Sequence, residues 1–203
     1  MRELRATAWR APRRVSALLL LVLWGCASGP APTDHHYRID VAAPEAPAAK
    51  PLNGVLQVDR LRADALAGER DVLYQKGSER SEIRKYTYHL WSDSPAILLQ
   101  TELVSFLDEA GAAEVVLPVT ARTQPDYLVS GRLHRFEQVL DSDARVNVEI
   151  HLTLTSSDGQ VLTNQTYREE RVATDRTVAA AAKAFGEAVH DIFERFLADL
   201  NAS

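Results

Sequence analysis

The chain holds one thiol, Cys26, and six histidines. A single cysteine in 203 residues rules out an internal disulfide, a cysteine-based zinc cluster or a catalytic thiol in the body that follows it. His35 and His36 are adjacent in a Pro/Ala-rich stretch, with no carboxylate cluster at ligand spacing. His89, His134 and His151 fall on three different predicted strands, and His151 lies on the polar side of its strand. Neither set has the spacing of a metal centre, and no metal or other cofactor is expected. Ser130-Gly131 lies inside a strand pattern, where glycine marks a bulge or a close backbone approach rather than a nucleophile. The chain has neither a phosphate-binding G-x-x-x-x-G-K-[ST] loop nor a G-x-S-x-G elbow. Glu169-Glu170 reads as a charged sheet edge that discourages association. No catalytic residue stands out, and the chain reads as a non-enzyme.

Cys26 has a different chemistry in reach. Arg2, Arg5, Arg10, Arg13 and Arg14 open the chain, and an apolar run follows from Val15 to Trp24, broken only by Ser16. Charge followed by a short apolar core marks a secretory signal peptide, and the run is shorter than the roughly 20 residues a membrane span needs. Leu23-Trp24-Gly25-Cys26 then resembles a lipobox, at which a diacylglyceryl group is linked to the cysteine sulfur before cleavage in front of it. The expected divisions are a signal peptide over 1–25, a lipidated Cys26 with a Pro/Ala-rich tether over 26–51, and a folded domain over 52–203. Several acyl chains, each buried methylene contributing about 0.8 kcal/mol, make such an anchor effectively permanent. Ala27 stands where an Asp would favour inner-membrane retention, so the periplasmic face of the outer membrane is the expected location. Without residues 1–25 the chain carries 18 basic and 27 acidic residues, a net charge of −9. Nucleic-acid binding needs the opposite balance.

The elements that carry these residues follow from periodicity. Val55–Val58 reads as a strand. Asp71–Gln75 and Ile83–Leu90 read as a hairpin across Lys76-Gly77-Ser78-Glu79, and Tyr86, Tyr88 and Leu90 alternate with polar residues. Ser94 and Pro95 open a helix that Gly111 ends. Val115–Leu117, Tyr127–Leu140, an alternating run from Arg145 to Leu154, and Val161–Val172 read as further strands. Thr177–Leu200 reads as an amphipathic helix with a stripe of Val178, Ala181, Phe185, Val189, Ile192, Phe193, Phe196 and Leu200. Grouped rather than alternating elements predict an α+β domain: a mostly antiparallel sheet of about six strands with two main helices, one mid-chain and one C-terminal. Trp91, at the junction of the tyrosine-rich strand and the first helix, is either a core plug beneath the helix start or, with Tyr86 and Tyr88, the wall of a groove for an apolar ligand or partner.

The ordered set of motifs resembles a known family. The lipobox and Pro/Ala-rich stretch with Tyr37-x-Ile39 are followed by the Val55–Val58 strand with its Arg60-Leu61-Arg62 loop, and by Val72-Leu73-Tyr74. Tyr86-Thr-Tyr-His-Leu-Trp91-Ser-Asp-Ser-Pro95 comes next, then Asp126-Tyr-Leu-Val-Ser-Gly131 with Phe136-Glu137. Together, from about Tyr37 to Leu200, these resemble the ABC-type transport auxiliary lipoproteins, the PqiC-like family. The resemblance implies a non-enzymatic component beside an ABC permease and ATPase, docking an MCE-domain protein or receiving its lipid or apolar cargo. It leaves room for a homo-oligomer. A structural lipoprotein assisting another outer-membrane complex, and a periplasmic hydrolase, are the readings it competes with.

Overall fold

The computed structural model describes residues 32–76 and 82–202. In chain order its strands are β1 (His35–Tyr37), β2 (Leu52–Val58), β3 (Arg62–Ala63), β4 (Asp71–Lys76), β5 (Arg84–Trp91), β6 (Ala113–Pro118), β7 (Tyr127–Leu140), β8 (Ala144–Ser156) and β9 (Val161–Val172). The helices are α1 (Pro95–Glu109) and α2 (Val178–Ala202). Cys26 and the hairpin turn at Gly77-Ser78-Glu79 lie outside the described residues.

β7, at 14 residues, organises the sheet. One of its edges pairs antiparallel with β8 along the whole length, from Tyr127↔Ser156 to Leu140↔Ala144, and β9 continues beyond β8. Its other edge is shared by three short strands in succession, each parallel to it. β2 meets it at Leu56↔Tyr127, β3 at Arg62↔Arg132 and β4 at Leu73↔Glu137. β6 pairs parallel with β2, β5 antiparallel with β4, and β1 parallel with β5.

The mostly antiparallel sheet of about six strands is therefore not what forms. Among the described residues the sheet has nine strands and is mixed. Alternation along a strand reports which face is wet, but says nothing about the direction of its neighbour. The β7–β8–β9 meander joins sequence neighbours through tight turns and so is legible. The parallel pairings join segments roughly 60–70 residues apart, which local pattern does not register.

Both helices have local causes. Pro95 sits at the start of α1, and Gly111 at φ +62° ends it, with Gly111 N–H donating to Asp108 O and Ala112 N–H to Leu107 O, both at 2.9 Å. That is the six-to-one, five-to-two closure that a left-handed residue permits. Ser94 precedes the helix but its hydroxyl does not cap it; Arg60 donates to that oxygen instead, at 3.3 Å. Thr177 does cap α2, its hydroxyl accepting from Ala180 N–H at 3.1 Å. All eight residues of the expected α2 stripe are buried. α2 packs on β8 and β9, and α1 on β6 and β2. Phe185 stacks on Phe136 of β7 at 4.1 Å, and Phe193 meets Phe106 of α1 at 5.5 Å. Each fully buried side chain of this size contributes about 1.5–3 kcal/mol, so the first pair fastens α2 to the sheet and the second joins the two helices.

The stretch between β1 and β2 runs across both helices. Its backbone N–H groups donate to α1 and α2 in turn: Val41 to Glu102 Oε2 (3.4 Å), Glu45 to Glu194 Oε1 (2.7 Å), Ala48 to Ala110 O (2.7 Å) and Lys50 to Asn201 Oδ1 (3.1 Å). Ile39 is buried in the core. From His35 onward, then, the Pro/Ala-rich stretch is a strap laid on the body rather than a tether standing off it. A short edge strand forms at the start of the strap, at His35–Tyr37. The strap crosses α2 at Gly186, where a Cβ would collide with the carbonyl oxygen of Asp40.

That crossing sets two effects against each other. Gly186→Ala favours the helix by about 1 kcal/mol, while the forced displacement of the strap costs about 1–3 kcal/mol. The variant is expected to melt at lower temperature and to be cut faster by protease between residues 38 and 51. A variant melting higher, with an uncut strap, contradicts the close crossing.

Candidate functional site

The residues singled out for a groove do not share one. Trp91 is 1% exposed, its ring packed 5.3 Å from Phe136, 5.4 Å from Phe185 and 6.5 Å from Tyr37. It is a core plug beneath the start of α1. Tyr86 is half-buried, 4.4 Å from the ring of Tyr74, and its hydroxyl donates to Gln138 Oε1 at 2.9 Å. Burial pushes its phenol above the ordinary tyrosine range. Tyr88 is 42% exposed. Only Tyr86 belongs to a larger arrangement.

That arrangement is a seam of rings where β4, β5 and β1 lie side by side. From Tyr74 it runs to Tyr86, then to His89 at 5.4 Å, and then to His35 and Tyr37 at 5.1 and 5.7 Å. The Tyr37 hydroxyl bonds His89 Nδ1 at 2.8 Å. Burial, and secondarily the charge of His35, hold His89 below the ordinary histidine range. Ser92 N–H donates to Tyr37 O at 2.7 Å, so the seam also fixes β1 at the corner leading into α1.

The other two strand histidines do not converge on His89. His134 Nδ1 lies 2.7 Å from Asp64 Oδ2, and Arg132 donates to the other oxygen of the same carboxylate at 2.5 Å. These bonds, His134 first, hold Asp64 below the usual carboxylate range. His151 bonds the hydroxyl of Thr166 at 3.0 Å on the neighbouring strand. Among the described residues, no three His, Cys, Asp or Glu side chains are grouped to hold a metal ion.

Sequence pattern missed a groove of about 480 Å³ between the strap and α2. Arg38, Arg171 and Lys183 line it, as do Asp40, Glu187 and Asp191. Arg171 pairs with Asp191, and Lys183 lies 3.9 Å from Glu187. Opposite charges therefore largely satisfy each other along its wall. The one signal in the sequence is Gly186, a lone glycine inside an alanine-rich helix, which in that setting marks a close packing partner.

Gly131 and Asp126 have structural roles. A Cβ at Gly131 would strike the carbonyl of His151 on β8, so this glycine admits the β7–β8 pairing. Asp126 Oδ2 accepts from Val55 N–H at 2.8 Å, over Gly54 at φ +98°, and so ties the start of β7 to β2.

Residues 37–195 match the ABC-type transport auxiliary lipoprotein component family. The chain belongs to that family. The match takes in the strap, the seam except His35, and most of α2, so the strap is part of the family domain. Among solved structures, protein XCC0632 from Xanthomonas campestris, of the DUF330 family, superposes with a TM-score of 0.72 at 19% identity, covering 83% of this chain and 96% of that one. A second crystal structure, of an uncharacterized protein, gives 0.62 at 13% identity, covering 84% and 98%. The PelC dodecamer from Paraburkholderia phytofirmans aligns more loosely, at 0.49 and 14% identity over 78% and 94%. No curated protein matches the chain. The first two superpositions show that this transport auxiliary lipoprotein shares their fold.

Two outcomes follow for the residues of β5. Trp91→Ala is expected to destabilise by about 3–5 kcal/mol, as for a buried aromatic, whereas Tyr88→Ala changes stability by no more than about 0.5 kcal/mol. Equal, small effects in denaturant melts would mean that Trp91 is not core. His89 binds its proton less readily folded than unfolded, so stability is full above the ordinary histidine pKa and declines as pH falls through it toward the lower folded value. Melting temperatures from pH 7.5 to 5 should fall less steeply in His89→Gln than in the parent. Parallel curves would remove His89 from the account.

Proposed function

We propose that this protein is a non-enzymatic, lipid-anchored auxiliary component of an ABC-type transport system in the bacterial envelope. It is held through Cys26 at the periplasmic face of the outer membrane and docks an MCE-domain protein that carries lipid or another apolar molecule. The family match across 37–195 is the observation that carries this reading. The lipobox at Leu23–Cys26 supports the anchor, and Ala27 supports the outer membrane as its location. Among the described residues no helix is long and apolar enough to cross a membrane, and the proposed attachment requires none.

The strap bears on how the domain is held. With residues from His35 onward laid on the body, eight residues, 27–34, separate Cys26 from it in the chain. Eight residues reach at most about 28 Å when fully extended. The domain therefore stays near its own membrane, and contact with an inner-membrane transporter has to be bridged by the partner.

Cys26→Ser removes the thioether and should move the protein from the membrane fraction to the soluble periplasm, with loss of palmitate labelling. A parent chain that is already soluble and unlabelled refutes the anchor. For the transport role, deleting this gene together with that of the ATPase should give the same envelope defect as deleting either alone. An additive defect would place the protein in a different process.

A further inference from the structure

His35 stands directly opposite His89 across the parallel β1–β5 ladder, with their imidazoles 5.1 Å apart and 16° from parallel. The two lie far apart in the chain, so no spacing rule reveals the pair. Among the described residues no hydrogen bond engages either ring nitrogen of His35, or Nε2 of His89. The other nitrogen of His89 is held by the Tyr37 hydroxyl at 2.8 Å. Because His89 sits below the ordinary histidine range, its ring is a neutral lone-pair donor at neutral pH.

We propose that His35 and His89 form a two-histidine site for a late first-row divalent transition ion, Cu²⁺ most tightly and Ni²⁺ or Zn²⁺ less so, with water completing the coordination. Imidazole nitrogen suits these ions, and Cu²⁺ leads their affinity order. His89 Nε2 is the fixed ligand. Its opposite nitrogen is bonded to an oxygen atom, and with metal on Nε2 that nitrogen carries the proton and donates to the Tyr37 oxygen. This second bond sets the ring's tautomer and orientation, as it does for metal-bound histidines generally. His35, exposed on the short outer strand, is the mobile ligand and reaches the ion by side-chain rotation. His36, the next residue, faces the other side of β1 and takes no part. A bound ion clamps β1 to β5 at the point where the segment bearing Cys26 joins the body. It thereby stabilises that junction by mass action.

Trp91 reports on the site, because it packs against Tyr37 and is the only tryptophan after Trp24. Cu²⁺ is titrated into the full chain purified from membranes in detergent, without a histidine tag. Tryptophan fluorescence should be quenched saturably at one ion per chain and recover with EDTA. Affinity should drop at least about tenfold in His35→Ala and in Tyr37→Phe, and stay unchanged in His36→Ala. His35→Ala alters an exposed side chain, so loss of folding does not obscure the result. Absence of saturable quenching overturns the site, as does quenching that survives both His35→Ala and His89→Ala. Equal losses in His35→Ala and His36→Ala overturn it too, since they point to an unstructured His-His ligand.

Discussion

Everything in this fold depends on satisfying both edges of β7. Fourteen consecutive residues in the middle of a sheet present backbone donors and acceptors on two sides, and leaving buried ones unpaired is costly. β8 solves one side in a single antiparallel ladder. The other side is solved piecewise, by β2, β3 and β4 entering in parallel one after another. The remaining elements follow. β6 and β5 extend the sheet from β2 and β4, β1 adds to β5, and the two helices cover the apolar face. Gly131 matters because a side chain there would break the main ladder at His151. Asp126 matters because it holds β2 in register with the start of β7.

The strap is the second consequence. Its prolines, Pro44, Pro47 and Pro51, lack an N–H, while the neighbouring Glu45, Ala48 and Lys50 supply N–H groups that tie it to α2 and α1. An extended segment without secondary structure thus becomes a brace between two helices. At its N-terminal end the strap continues from β1, whose Tyr37 belongs to the ring seam with His89.

What could be read from residues alone divides along physical lines. The β7–β8–β9 meander, the Schellman close at Gly111 and the stripe of α2 are local, and strand alternation, a left-handed glycine and helical spacing expose them. The parallel partners of β7 are not local, and neither is the His35–His89 stack. The strap is not legible in the sequence, because Pro and Ala composition describes an extended backbone equally well whether water or protein lies beside it. Trp91 admitted two readings from its position at a strand–helix junction, and burial against Phe136 and Phe185 decides for the core. Tyr86 and Tyr88 looked equivalent by alternation, yet one is bound into the seam and the other is exposed.

The function proposed for this family domain, matched over residues 37–195, is work by contact with a partner. The central claim is that the contact is with one ABC transport system. The direct measurement is affinity purification of the tagged, lipidated chain from cross-linked native envelopes, with partners identified by mass spectrometry. The account predicts co-enrichment of a permease, its ATPase and an MCE-domain protein from a single system. Recovery of the chain from the membrane fraction with none of these would contradict it.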